Sequence, residues 1–200
     1  IHIKVTDNSA NYIDYKLTIV EGWEKYQLEK YLTSYYPDYK YLPYEDLIAN
    51  TYIINSSNSF ANLKNFLELE KNNFINKYKD NVLLKKYGLS NILIISSLVE
   101  KEAKNNDDKP LISSVIFNRL EIGMKLQIDA TVISAITRGE YKLDRDLNYN
   151  DLKIKDELNT YVIKGIPPEM ISYVGKKTIE IVLENNKSNF LFYFYNILEK

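Results

Sequence analysis

The sequence predicts an α+β fold, rich in helix and carrying a few short strands. Three observations point there: apolar alternation near the N-terminus, helix-spaced apolar residues from 60 to about 122, and a later return to mixed sequence broken by turns. With 200 residues, 45% of them hydrophobic, the chain can bury one sizeable core, so one main domain with a smaller piece attached is expected.

Each element has its own signal. Ile1, Ile3 and Val5, then Tyr15, Leu17 and Ile19, alternate with polar residues on either side of the cluster at 6–11, which reads as two strands or a hairpin. Glu21, Gly22 and Trp23 punctuate the chain before a short helix marked by Tyr26, Leu28, Tyr31 and Leu32. Pro37 and Pro43 bracket a tyrosine-rich connection. Apolar residues at 60, 63, 66, 67, 74 and 78 predict an amphipathic helix over 60–78. Gly88 stops the next turn, and Ser90 is a suitable N-cap for a helix over 91–104. Asp107 and Asp108, ahead of Pro110, read as caps of another helix, with Ile112, Val115, Ile116 and Leu120 as its buried stripe and Gly123 as its end. A short helix over 132–136, a polar stretch at 144–157, a breaker at 165–168, a helix over 176–183 and a strand over 190–195 complete the reading.

Composition removes several function classes. There are 26 basic and 27 acidic residues, for a net charge of -1 and a pI near 6.0. Such a balance gives no cationic footprint, so nucleic acid is not an expected partner. The longest apolar run in the helix-like stretches is 92–95, well short of the roughly 18 residues of a membrane span, and the chain as given is expected to be soluble. It opens at Ile1 without a signal-peptide pattern, which points to a fragment. The chain has no cysteine and one histidine, His2; disulfides and thiolate metal sites are excluded, and no metal or cofactor is expected. No phosphate-binding glycine loop, nucleophile elbow or zinc-protease helix occurs. Asp107 and Asp108 lack the regularly spaced oxygen ligands of a calcium loop. Only Arg119, Arg138 and Arg145 among the basic residues are arginine, a bias read as a property of coding with no chemistry in it.

The segment Ser97-Leu98-Val99-Glu100-Lys101-Glu102 carries the most chemistry. At about 100° per residue, two carboxylates two positions apart point to nearly opposite sides of a helix, so they are not an adjacent acid pair. Three, four and seven positions behind Glu102 stand Val99, Leu98 and Ile95, which places its carboxyl on the buried side. Lost hydration and the negative end of the helix dipole both favour a protonated acid there, as a general acid requires. Glu100 has Ser96 and Ser97 behind it and Lys104 four residues ahead, the pattern of a solvated or supporting residue. The plain alternative is that both are ordinary helix-end glutamates. Gln127, Asp129 and Thr131 gather an amide, a carboxylate and a hydroxyl, and Asn159, Thr160 and Tyr161 precede the 165–168 breaker. By default these are turns; they become a polar-substrate surface if they converge on Glu102.

Taken together and in this order, the segments resemble the endolytic murein transglycosylases of the YceG-like family, from about Thr18 to Tyr195. Residues 17–23 resemble the family's opening segment after a LysM-like module. Residues 97–102 match its Ser-(Ile/Leu)-(Val/Ile)-Glu-Lys-Glu helix, in which the second glutamate is the catalytic acid, here Glu102. Residues 114–127 resemble its Val-Phe-x-Asn-Arg-Leu-x-x-Gly-Met-x-Leu-Gln block, residues 129–133 its Asp-Pro-Thr-Val-Ile, and residues 158–161 with 165–168 its Tyr-Asn-Thr-Tyr and Gly-Leu-Pro-Pro. Ala130, Leu158 and the run Tyr173-Val174-Gly175 depart from that pattern.

The resemblance implies a partial LysM-like module at 1–32 and a YceG-like catalytic domain at 33–200, with Glu102 in the main cleft. It implies lytic cleavage of the bond between MurNAc and GlcNAc, with the MurNAc 6-hydroxyl closing a 1,6-anhydro ring in place of water. Glu100, Asn118, Gln127, Asp129, Thr131, Asn159 and Tyr161 would contact the glycan. The implied partners are peptidoglycan strands and peptidoglycan synthases, at the extracytoplasmic side of the cytoplasmic membrane, through an anchor absent from this chain. Two alternatives stay open: a hydrolytic muramidase using Asp129 as base or nucleophile, and a glycan-binding scaffold without activity.

Overall fold

A computed structural model describes residues 14–55 and 59–193. The predicted alternation at Ile1, Ile3 and Val5 lies outside them. The fold is α+β, with six α-helices, two short 3-10 turns and one two-stranded sheet among the described residues. Strand β1 (Asp14–Thr18) runs antiparallel to β2 (Thr51–Asn55), with Tyr15 opposite Ile54 and Leu17 opposite Tyr52. The sequence reading did not contain β2. Its five residues are β-branched or aromatic at four positions and bury Tyr52 and Ile54 on one face, but its partner is distant in sequence and no turn signal advertises the pairing.

The helices follow local chemistry. Helix α1 (Lys25–Leu32) opens with a capping box between Glu24 and Gln27. Helix α2 (Phe60–Asn76) is capped by the Ser59 hydroxyl, which accepts from the Asn62 amide at 3.3 Å. Helix α3 (Val82–Glu102) starts at Asn81, whose side chain accepts from the amides of Leu83 and Leu84. Gly88, at φ 80° and ψ 159°, breaks it. The break takes the place expected of a cap at Ser90, which lies inside the helical run. Helix α4 (Lys109–Glu121) has Pro110 in its first turn. The expected capping by Asp107 and Asp108 is not what forms: Asp108 has helical dihedrals, so its carboxylate does not fold back, and the Asn105 side chain accepts from both aspartate amides, at 2.9 and 3.1 Å. Helix α5 (Asp129–Thr137) begins three residues before its predicted start, and α6 (Lys176–Glu184) falls where it was expected.

Residues 190–193 form no strand, contrary to expectation, while 194 and 195 lie outside the described residues. Side chains of α4 use the backbone acceptors a strand partner would need: Asn118 Nδ2 donates to Ser188 O and Phe190 O, both at 2.8 Å, and Arg119 Nε donates to Leu191 O at 2.7 Å.

Helix α3 is the axis of the core. By length and composition it is apolar enough to cross a membrane, with a mean hydropathy of 1.4, which the count of consecutive apolar residues did not anticipate. Its second half is packed inside protein: Ile92, Leu93, Ile94, Ile95, Leu98 and Val99 are buried, and α4, α5 and α6 lie against it. Leu17, Ile19, Leu28 and Leu32 from the N-terminal part belong to the same core.

At the end of α3 the structure corrects the solvated reading of Glu100. Its side chain is 6% exposed and pairs at 2.7 Å with the Lys109 ammonium, itself 5% exposed. Thr178 Oγ1 and the Gly175 amide also donate to the carboxylate. This cluster ties α3 to the starts of α4 and α6. Removing one member of a buried pair strands the other charge, at a cost of about 3–5 kcal/mol. Lys109→Met is therefore expected to lower the free energy of unfolding in urea by that order, whereas the surface change Lys85→Met leaves it within about 0.5 kcal/mol. Equal, small effects would show that the cluster does not hold the helix ends together.

Candidate active site

Glu102 is the last residue of α3, and Ala103 after it is extended, its amide closing the helix on Val99 O at 3.0 Å. Val99, Leu98 and Ile95 behind it are fully buried, as the helical spacing requires. The carboxyl is half-buried, and its pKa is raised above the ordinary 4.5 by lost hydration first and by the negative charge of Asp129 second. A hydrogen bond with Tyr193 and the positive charge of Arg119 oppose that rise without cancelling it.

Three neighbouring segments bring those groups together. Arg119, buried on α4, donates from Nη1 to Leu126 O and from Nε to Leu191 O, and its guanidinium carbon lies 5.0 Å from the centre of the Phe192 ring. Arg119 and Asn118 thus fix the stretch that leads to Tyr193. On the other side, Asp129 opens α5, where a carboxylate complements the helix dipole, and accepts a 2.6 Å hydrogen bond from the Tyr161 hydroxyl. Burial, and then the charges of Asp129 and Glu102, push the Tyr161 phenol above its usual range. It stays a neutral donor at physiological pH.

The remaining residues form the scaffold of these two. Thr160 Oγ1 accepts from the Ile128 amide at 2.9 Å and lies 2.9 Å from Thr131 Oγ1, which donates to Ile128 O at 2.6 Å. Asn159 donates to Leu152 O and Ile154 O at 3.1 and 2.8 Å and accepts from the Tyr161 amide at 2.9 Å. Thr131 and Asn159 are fully buried, so they position Asp129 and Tyr161 and do not present a surface to a ligand. Gln127 is exposed and sits at φ 51°, its amide donating to Thr160 O at 3.2 Å. A left-handed non-glycine residue costs on the order of 1–3 kcal/mol and persists where its surroundings fix it; here the bond from Arg119 to Leu126 and that to Thr160 do so.

The structure therefore brings Glu102, Asp129 and Tyr161 into mutual electrostatic reach, with Gln127 exposed two residues before Asp129. Glu100 is turned into the Lys109 cluster, Asn118 is engaged with the 188–190 backbone, and Thr131 and Asn159 lie beneath the surface. Three cavities, of about 300, 710 and 430 Å³, have linings that exclude Glu102, so the expected main cleft around the acid is not among them. Among the described residues no group of three or more His, Cys, Asp or Glu is placed to hold a metal ion.

Two neighbours of Glu102, Arg119 and Tyr193, were not among the expected site residues. Arg119 carried a signal: with lysine the default cation, an arginine marks a place where a planar, forked donor is needed. Tyr193 carried none, being one of 18 tyrosines.

Residues 3–199 match the YceG-like family. The endolytic murein transglycosylase of Bacillus subtilis (strain 168) is 36% identical over 124 residues, which cover 62% of this chain and 33% of that protein. The endolytic murein transglycosylase of Streptococcus pneumoniae serotype 2 (strain D39) is 25% identical over 188 residues, covering 92% of this chain and 31% of that one. The chain thus spans about a third of the length of these curated relatives. A 2.6 Å crystal structure of a YceG-like protein from Listeria monocytogenes is similar with a TM-score of 0.77 at 28% identity, over 92% of this chain and 70% of the other. With all but three of its 200 residues inside the match, this chain belongs to the YceG-like family.

Proposed function

We propose that the chain carries the catalytic site of an endolytic peptidoglycan lytic transglycosylase, with Glu102 as its acid. The observation that carries this reading is a single half-buried carboxyl at a helix end whose surroundings raise its pKa. The names of the relatives, murein transglycosylases, supply the substrate class. In this reading protonated Glu102 gives its proton to the oxygen between MurNAc and GlcNAc as the bond to the anomeric carbon breaks. The MurNAc 6-hydroxyl oxygen then bonds to that carbon, and its proton goes to the Glu102 carboxylate, which restores the acid. One carboxyl serves both transfers, and no water enters the product. Asp129, held by Tyr161, would stabilise positive charge developing at the anomeric carbon. Because murein lies outside the cytoplasmic membrane, the same reading places the protein on its extracytoplasmic side, with peptidoglycan synthases as partners.

One observation favours a second reading. Asp129 stands near enough to raise the Glu102 pKa, so the two could act as the acid and base, or acid and nucleophile, of a hydrolase. Digestion of purified glycan strands in ¹⁸O-water separates the cases. Unlabelled 1,6-anhydro ends are the expected product. Labelled reducing ends would establish the hydrolase, and strand binding without cleavage would establish a scaffold.

Glu102→Gln is expected to lower turnover by at least about 10²-fold; a loss no larger than that of Glu121→Gln, on the outer side of α4, would remove Glu102 from the chemistry. Because folding raises its pKa, Glu102 favours the folded state at acid pH and costs stability as pH climbs through 4.5 and the raised value. Glu102→Gln should accordingly melt no lower than wild type at pH 7. Since Asp129 contributes to that rise, Asp129→Asn is expected to shift the alkaline limb of the kcat/KM profile toward acid. An unmoved limb would show that Asp129 does not act on the acid.

A further inference from the structure

The 430 Å³ cavity reaches the last turn of α3 through Lys101 and does not include Glu102 in its lining. Its wall includes Trp23 and Tyr26 at the start of α1, Lys101 on α3, Ile133 on α5, and Lys142 and Arg145 in the following loop. Lys101 immediately precedes Glu102. Ile133 lies four residues after Asp129 on α5, hence on the same helix face and about 6 Å further along it. The wall thus includes a residue from the face of α5 that carries Asp129, one turn further along.

Its walls are set in place beforehand. Gly22, at φ 77°, allows the turn that presents Trp23, and the backbone on both sides is pinned by Gly22 N to Tyr173 O and Tyr173 N to Trp23 O, each at 2.9 Å. The Trp23 ring meets Tyr31 edge-on at 5.4 Å between centroids. Lys101 is tied to Glu24 at 2.6 Å, and Arg145 is bidentate to Asp151 at 2.6 and 3.0 Å. Two aromatic rings, the aliphatic side chains of Ile133 and Leu143, and a polar rim in which cations stand beside the carboxylates of Glu21 and Glu24 match a ring that is apolar on its C–H faces and polar around its edge. The volume lies in the range of small-ligand pockets.

We propose that this cavity is a sugar subsite that takes one N-acetylhexosamine unit of the glycan strand, a few residues along from the bond at Glu102. This rests on the peptidoglycan reading for the identity of the strand. The sugar would lie against Trp23, with its hydroxyls and amide toward Lys142 and Arg145. Held there, the strand would be kept in register with the acid, so loss of the subsite would act mainly on KM.

Trp23 is the sole tryptophan among these 200 residues, and the emission lost in Trp23→Phe isolates its signal. The full-length protein, as wild type and as Glu102→Gln, is titrated with chitotetraose while Trp23 emission is followed and strand cleavage is assayed in parallel. A saturable emission change in both proteins is expected. Ile133→Arg, which fills the cavity, should weaken it by about ten-fold or more, the equivalent of about 1.4 kcal/mol, and raise KM with little change in kcat. A melting curve confirms that this variant is folded; if it is not, Trp23→Ala followed by calorimetry makes the same comparison. No emission change, or an unaltered titration in the filled variant, overturns the subsite. Cleavage without an emission change overturns the subsite alone. An emission change lost in the filled variant, without cleavage by wild type, supports the subsite and overturns the lytic reading.

Discussion

Arg119 sends its guanidinium to two carbonyls far apart in the chain, Leu126 O and Leu191 O, and the geometry around Glu102 depends on that fork. One arm fixes the turn that leads through Gln127 to Asp129; the other fixes the stretch that leads to Tyr193. Both stretches then deliver a group that acts on Glu102, a charge from one side and a hydrogen bond from the other. Lysine at this position would supply the charge as a single mobile point and leave one carbonyl without its donor. Because buried acceptors left unpaired are costly, the fork also explains how a short, non-strand segment is retained beside the site.

The last turn of α3 separates two carboxyls by function. Glu100 faces Lys109, Thr178 and Gly175, a set of donors suited to its ionised form, and it joins three helix ends. Glu102, about 200° around the helix, faces a region where burial and Asp129 disfavour ionisation. Two residues apart in sequence, the same side chain thus meets fixed donors on one face and a setting that favours its protonated form on the other. Asp129 holds its own place through Tyr161, whose loop is fastened from beneath by Asn159, Thr160 and Thr131.

Much of this was legible in the sequence because helices announce themselves locally. The stripe at 60–78, the glycine at 88, the proline at 110 and the apolar residues behind Glu102 each rest on neighbours within a turn or two. The order of motifs gave the family. What escaped was long-range. Strand β2 is defined by pairing with β1 across α1 and a tyrosine-rich connection. Asn159 and Thr131 have the composition of substrate-binding residues, yet only the fold reveals that their hydrogen bonds are spent on backbone beneath Tyr161 and Asp129. Glu100 lost its solvated reading for the same reason, since Lys109 and Thr178 approach it from other helices.

The electrostatic setting of Glu102 is the centre of the account, and its side-chain carboxyl can be followed directly. With ¹³C-labelled glutamate, the carboxyl shift is recorded across the pH range in the folded protein, and the Glu102 resonance is assigned by its loss in Glu102→Gln. The account predicts a midpoint above 4.5. A midpoint at or below 4.5 would contradict it, because burial and the charge of Asp129 would then not be disfavouring ionisation of this carboxyl.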